Sequence, residues 1–137
     1  AVENMPRTGT RLMLTCFVLN DLKDLVDFGV ERNLCFTFDT THFGTFGDDI
    51  VAGFLRVFKT GRLKNVHLSD HGFHRSHLFL GKGDLPIVKF LNTLGRLEYD
   101  EMVTLELDAR EFPKTEKWIT KMMKYQCDLI KLHTQRH

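Results

Sequence analysis

The sequence has little of what marks an exported, membrane-bound or nucleic-acid-coating protein. Its three cysteines, Cys16, Cys35 and Cys127, are odd in number and far apart, with no CxxC pair. This argues against a redox or metal role for them and predicts buried free thiols in a reducing cytoplasm. No apolar run approaches the roughly 20 residues that span a bilayer, so no membrane association is expected. The chain opens on Ala1-Val2-Glu3-Asn4, without a basic segment leading into an apolar stretch, and no secretory signal is expected. Charge of one sign is also missing: 19 Lys+Arg against 18 Asp+Glu leave a net +1. Such a balance gives no global field to recruit DNA or an anionic membrane. There is no initiator Met and no low-complexity linker. A chain that opens inside a strand-like segment is expected to be a piece of a longer protein. What is present, 137 residues at 42% hydrophobic composition, suffices for one domain with a real core.

Four short β-favouring segments alternate with helical patterns. The strand segments are Ala1–Asn4, Leu34–Asp39, Leu63–Leu68 and Met102–Leu107. Asn20 or Asp21 caps a helix with Leu22, Leu25, Val26 and Val30 on one face. Asp48 and Asp49 open a second, burying Ile50, Val51, Phe54, Leu55 and Phe58, with Gly61 just beyond its end. Asp84 is expected to cap a third, with Pro86 in its first turn and Ile87, Phe90, Leu91 and Leu94 facing inward. Pro113 starts a fourth, carrying Trp118, Ile119, Met122, Met123, Leu129 and Ile130, with Trp118 docking it. This alternation predicts an α/β fold of parallel strands joined by right-handed crossovers.

Each strand segment delivers a carboxylate or imidazole at its C-terminal end, where barrels and doubly wound sheets alike place their sites. A single strand-end acid is explained by capping of the next helix. Glu3, Asp39, His67 and Glu106 on four consecutive strands are not. Converging carboxylates repel unless protonated or neutralised by a cation. Three carboxylates with one imidazole suit Mn²⁺, Mg²⁺ or Co²⁺, and also accept Zn²⁺ or Fe²⁺.

Five of the seven histidines are clustered: His42, His67, His71, His74 and His77. His42 follows Asp39 by three residues and can face the same mouth. His77 precedes Gly81-Lys82-Gly83, whose glycines permit unusual backbone angles and close ligand approach. His71 and His74 read equally well as solvent-exposed loop residues, and His133 and His137 as surface. Lys82 and Arg75 either neutralise a phosphate or hold a sugar hydroxyl, or are solvated charges. Most phenylalanines read as core, while Phe43, Phe46 and Phe73 lie on mouth loops.

Val2-Glu3-Asn4-Met5-Pro6, Phe38-Asp39-Thr40-Thr41-His42, Val66-His67-Leu68-Ser69-Asp70, His77 with Gly81-Lys82-Gly83-Asp84, and Thr104-Leu105-Glu106-Leu107 resemble the xylose isomerase-like TIM barrels. That superfamily holds sugar isomerases and epimerases, inosose-pathway enzymes and the endonuclease IV group. The resemblance runs in order over nearly the whole chain and implies one domain, residues 1–137, forming strands five to eight of a (βα)8 barrel. It implies that Glu3, Asp39, His67 and Glu106 ligate one divalent metal (Mn, Mg, Co or Zn). Glu3 and Glu106 would double as an acid/base pair, and His42, Arg75 and His77 would contact substrate.

The reading is therefore a cytoplasmic, metal-dependent sugar or sugar-phosphate isomerase or epimerase working through an enediolate on a small carbohydrate. The alternative is an endonuclease IV-like zinc phosphodiesterase acting on abasic DNA. That branch carries an Asp-x-His motif, read here as Arg75-Ser76-His77, so one zinc ligand is missing unless Asp70 or a residue from the missing half replaces it. The balanced charge weakens the same reading. A third possibility is a non-catalytic barrel kept for binding or assembly, against which the intact four ligands stand. Half a barrel leaves open sheet edges, so a missing half or a second copy is expected to close it, or else the piece is expected to be poorly soluble.

Overall fold

β-Favouring segments stack into a parallel sheet because each is followed by a helix that carries the chain back across one face. The computed structural model describes residues 1–6, 21–45, 47–72, 75–112 and 114–135. In chain order the elements are β1 (Val2–Glu3), α1 (Leu22–Glu31), β2 (Phe36–Asp39), α2 (Thr40–Gly44), α3 (Ile50–Phe58) and β3 (Leu63–Leu68). There follow β4 (Asp70–Gly72), β5 (Arg75–Leu78), α4 (Ile87–Arg96), β6 (Met102–Leu105), a 3₁₀ turn at Ala109–Glu111 and α5 (Glu116–Thr134). The main sheet runs β1-β2-β3-β6, every pair parallel, and β4-β5 form a separate antiparallel hairpin. These are four βα units in sequence order, as expected.

The two faces of β2 divide the molecule. Phe36 and Phe38 point into the helix layer, where the Phe38 ring lies 5.5 Å from Phe43, 6.1 Å from Phe54 and 6.2 Å from Phe90. Ile50, Phe54 and Val57 of α3 and Ile87, Phe90, Leu91 and Leu94 of α4 complete this buried layer. Thr37 and Asp39 alternate to the other face, which in a barrel is the interior.

Helix starts follow the capping rules where a free carboxylate precedes them. Asp21 accepts from the Lys23 and Asp24 amides, and Asp49 from Val51 at 2.9 Å and Ala52 at 3.4 Å. The Val51 amide is the main cause of an Asp49 carboxyl held below its ordinary range. Asp49→Ala is expected to cost about 1 kcal/mol in thermal or urea unfolding. Because the folded value is the depressed one, this contribution is present above the ordinary carboxylate range and lost as pH falls through the lowered value.

Several expectations are corrected. Asp84 does not cap α4: Pro86 occupies the N-cap without a side-chain bond, and the helix begins at Ile87. The reason is local: Pro86 has no N–H for a capping side chain, and the Ile87 N–H already donates to the Leu85 carbonyl at 2.7 Å. The last helix begins at Glu116 behind Thr115, and Pro113 lies outside the described residues. Trp118 does not dock α5, being 52% exposed, and Val30 of α1 is 45% exposed. Cys127 is exposed and Cys35 only half-buried, so the expected burial of the thiols fails for both; Cys16 lies outside the described residues. The hairpin was not expected at all.

Trp118, Tyr125 and Leu132 recur every seven residues on the side of α5 away from α4, and Met102 on the edge strand β6 is 64% exposed. β1 and β6 each have a neighbour on one side only among the described residues. No helix among them is long and apolar enough to cross a membrane.

Candidate metal centre

The strand register gathers the four strand-end residues. Glu3 pairs with Thr37, two residues before Asp39; Asp39 pairs with His67; His67 pairs with Thr104, two residues before Glu106. With a side-chain period of two, all four therefore share one face. Asp39 and His67 are level. The two outer positions are offset by about 6.6 Å along the strands, and the longer glutamate side chains span that offset.

One donor atom from each of Glu3, Asp39, His67 and Glu106 lies within 4.8 Å of the other three. His67 Nδ1 is 2.6 Å from Glu106 Oε2, 3.4 Å from Glu3 Oε1 and 3.9 Å from Asp39 Oδ2. Asp39 Oδ2 is buried without a hydrogen-bond partner, and His67 Nδ1, although close to Glu106, is not aligned for a hydrogen bond with it. Burying such atoms unpaired is unfavourable. Donors around one octahedral ion stand roughly 3 to 4.2 Å apart, so the group fits an ion once the widest separations contract and the His67–Glu106 pair opens slightly. Three carboxylates and an imidazole are a donor set that divalent ions accept.

The electrostatics carry the same signature. Burial pushes the Asp39 carboxyl up to about 6, with the Glu3 charge adding to it against the pull of His42 and His77. Burial alone would also raise Glu3, but the His42 ring beside it and the His67 charge outweigh that and hold it below its ordinary value. Burial would lower His42, and contact with Glu3 at 3.2 Å, the Asp39 charge and the Asn4 carbonyl instead raise it.

Of the other anticipated residues, His42 and His77 join the group and Arg75 does not. The His42 and His77 rings meet edge to face with centroids 5.1 Å apart, and His77 Nδ1 lies 3.2 Å from Ser69 Oγ. His77 adopts φ +56, a left-handed conformation uncommon for a side chain of this size and found preferentially at functional sites. Arg75 pairs with Glu111, as does Lys82 at 3.3 Å, and the Glu111 side chain is only 2% exposed. His133 lies on α5 beside Asn92. His74, Phe46, Phe73 and His137 lie outside the described residues.

Asp70, offered above as a replacement zinc ligand, is otherwise engaged. It is fully buried and accepts four backbone N–H groups: His71 at 2.8 Å, Gly81 and Gly83 at 2.9 Å, and Leu85 at 3.1 Å. The glycines serve this turn. Gly81 has φ +82, and a Cβ on Gly83 would stand 2.6 Å from the His71 carbonyl carbon. Asn4, Ser69, Asp70 and Glu111 were missed or misread, because each acts through backbone or distant partners that spacing does not reveal. For Asn4 the signal was its place directly after Glu3.

A family profile described as "Xylose isomerase-like TIM barrel" matches residues 1–129. The chain belongs to that family. Its α/β architecture is accordingly that of half a (βα)8 barrel. Similar solved structures agree on the fold. A D-tagatose 3-epimerase-like protein superposes with TM-score 0.66 at 20% identity, over 96% of this chain and 46% of its own. A D-psicose 3-epimerase with D-tagatose from Clostridium cellulolyticum H10 gives TM-score 0.67 at 18% identity, over 98% and 49%. A D-allulose 3-epimerase from Methylomonas sp. gives 0.64 at 18%, over 93% and 47%. An uncharacterized protein of Methanocaldococcus jannaschii is 28% identical over 108 residues, 77% of this chain and 35% of its own. The chain thus spans about half the length, or less, of the family members it matches.

Proposed function

We propose that the chain supplies strands five to eight of a divalent-metal-dependent epimerase or isomerase barrel acting on a sugar or sugar phosphate in the cytoplasm. The observation that carries this reading is the convergence of Glu3, Asp39, His67 and Glu106, with Asp39 Oδ2 buried and without a hydrogen-bond partner. These four residues would hold the ion, which when bound polarises an adjacent carbonyl and hydroxyl of the substrate. Glu3 and Glu106 come from the outermost strands of the set and so flank the substrate carbon from two sides. One carboxylate takes the C–H proton and the other returns a proton to the opposite face, which inverts the carbon with no net redox change. The Glu3 carboxyl, held below its ordinary value by His42 and His67, is ionised, as a proton acceptor must be. His42, beside Glu3, and His77, edge to face with His42, are placed to hold substrate hydroxyls, whereas Arg75 is turned to Glu111. The remaining strands of the barrel, from a further stretch of chain or a second copy, would cover the open interior.

D-Tagatose and D-allulose, named in the similar structures, are the first substrates to test. Turnover should incorporate solvent deuterium at the inverted carbon. Glu106→Gln, which keeps shape and removes the ionisable group, is expected to lower the rate by about 10²–10⁴-fold. Undiminished turnover in that variant would sink the proposal. The abasic-site nuclease reading loses support from Asp70, whose carboxylate is saturated by backbone amides. Incision of abasic duplex with two or three bound zincs would restore it.

A further inference from the structure

The β1–β2 ladder is completed by a side chain. With Val2 registered on Phe36 and Glu3 on Thr37, a regular parallel ladder would pass the Asp39 N–H to the backbone carbonyl of residue 4. Instead the Asp39 N–H donates to Asn4 Oδ1 at 2.8 Å, and Asn4 Nδ2 donates back to the Asp39 carbonyl at 2.9 Å. The displaced Asn4 carbonyl meets His42 Nδ1 at 3.1 Å. Asn4 is 5% exposed, so these groups have no ready substitute in water. A carboxamide alone among short side chains offers an acceptor and a donor side by side, as the two bonds to Asp39 require.

Both ends of the contact concern the four-residue group. Asp39 has one oxygen fixed by the His42 N–H at 2.6 Å and the other buried without a partner. A carboxylate in that position gains by rotating toward solvent or another donor. Clamping its backbone on both sides, N–H and carbonyl, fixes where the side chain starts, and the Oδ1 contact with the His42 N–H then sets its rotation. The same residue's carbonyl orients the His42 ring, which lies 3.2 Å from Glu3.

We propose that Asn4 is a positioning residue of the metal centre: its carboxamide locks the Asp39 backbone so that Asp39 Oδ2 stays aimed at the space shared with Glu3, His67 and Glu106. This rests on the metal reading above. Outer contacts of this kind alter metal affinity by about 10–100-fold when removed.

The test is calorimetric titration of the purified, chelator-treated protein with Mn²⁺ and Co²⁺, for wild type, Asn4→Ala and Gln126→Ala. Gln126 is buried on α5 and accepts the Leu80 N–H at 2.7 Å, away from the four donors, so its loss destabilises without touching them. The expected result is a 10–100-fold weaker Kd for Asn4→Ala and an unchanged Kd for Gln126→Ala. Asn4→Ser, which keeps a short acceptor, should fold if the alanine variant does not, with a smaller loss of at least several-fold. Equal Kd values for wild type and the Asn4 variants overturn the clamp and leave the metal reading standing. A parallel loss in Gln126→Ala also overturns it, by assigning the effect to stability. Wild type that binds neither ion overturns the metal reading itself, and the clamp with it.

Discussion

Asp70→Ala should lower the thermal midpoint by roughly 10–20 °C, the largest stability effect expected of any single polar substitution here. Four backbone N–H groups end on that one buried carboxylate, and Gly81, Gly83 and Leu85 have no helix or strand to supply another acceptor. Leaving several buried donors unmet at once places the cost at about 3–5 kcal/mol. Asp70→Asn keeps one acceptor oxygen but turns an NH₂ toward backbone N–H groups, and should fall between wild type and alanine. Differential scanning calorimetry gives the midpoint, and amide exchange at Gly81, Gly83 and Leu85 locates the damage. A midpoint for Asp70→Ala within about 2 °C of wild type would show that the turn is held by something else.

The second large effect has the opposite sign. In chelator-treated protein, Asp39→Asn is expected to stabilise the fold at pH 7.5 and to do nothing measurable at pH 4. Burial raises the folded Asp39 carboxyl to about 6, above its ordinary value of 3.8. Between those values the folded state binds the extra proton, so stability falls as pH rises and the penalty is complete above about 6. An asparagine has no such penalty. Divalent metal should reverse the order. At 100 times its Kd, an ion gives wild type about 2.7 kcal/mol that the variant, short of one donor, does not receive. Thermal melts at the two pH values, with and without Mn²⁺, test both halves. Asp39→Asn that melts lower than wild type in metal-free buffer at pH 7.5 would contradict the account.

The alternation of strands and helices was legible because the buried β2 and amphipathic α3 and α4 have distinct periods. The four donors were legible because each sits at a strand end, where register does the gathering. The β4-β5 hairpin was not legible: Asp70-His71-Gly72 and Arg75–Leu78 are short, polar and without alternation. Its existence depends on Asp70 reaching 11–15 residues ahead to the turn amides, a partnership that spacing does not announce. The Arg75 partner was hidden for a related reason. An arginine at a strand end looks free for a ligand until Glu111, 36 residues on, is folded beneath it. Trp118 shows the limit of composition, since a large aromatic residue on a helix gives no hint of which flank it will face.

All four donors arise from one uninterrupted run of neighbouring strands, and this has an evolutionary consequence. A recombination joint placed just before β1 transfers the whole donor set, with its registers intact, onto any partner that can complete the cylinder. Loops borne by that partner could then diverge without disturbing the donors. Selection can therefore act on those loops in one half and preserve the four-residue group in the other. Exchange of halves between relatives should move the two separately.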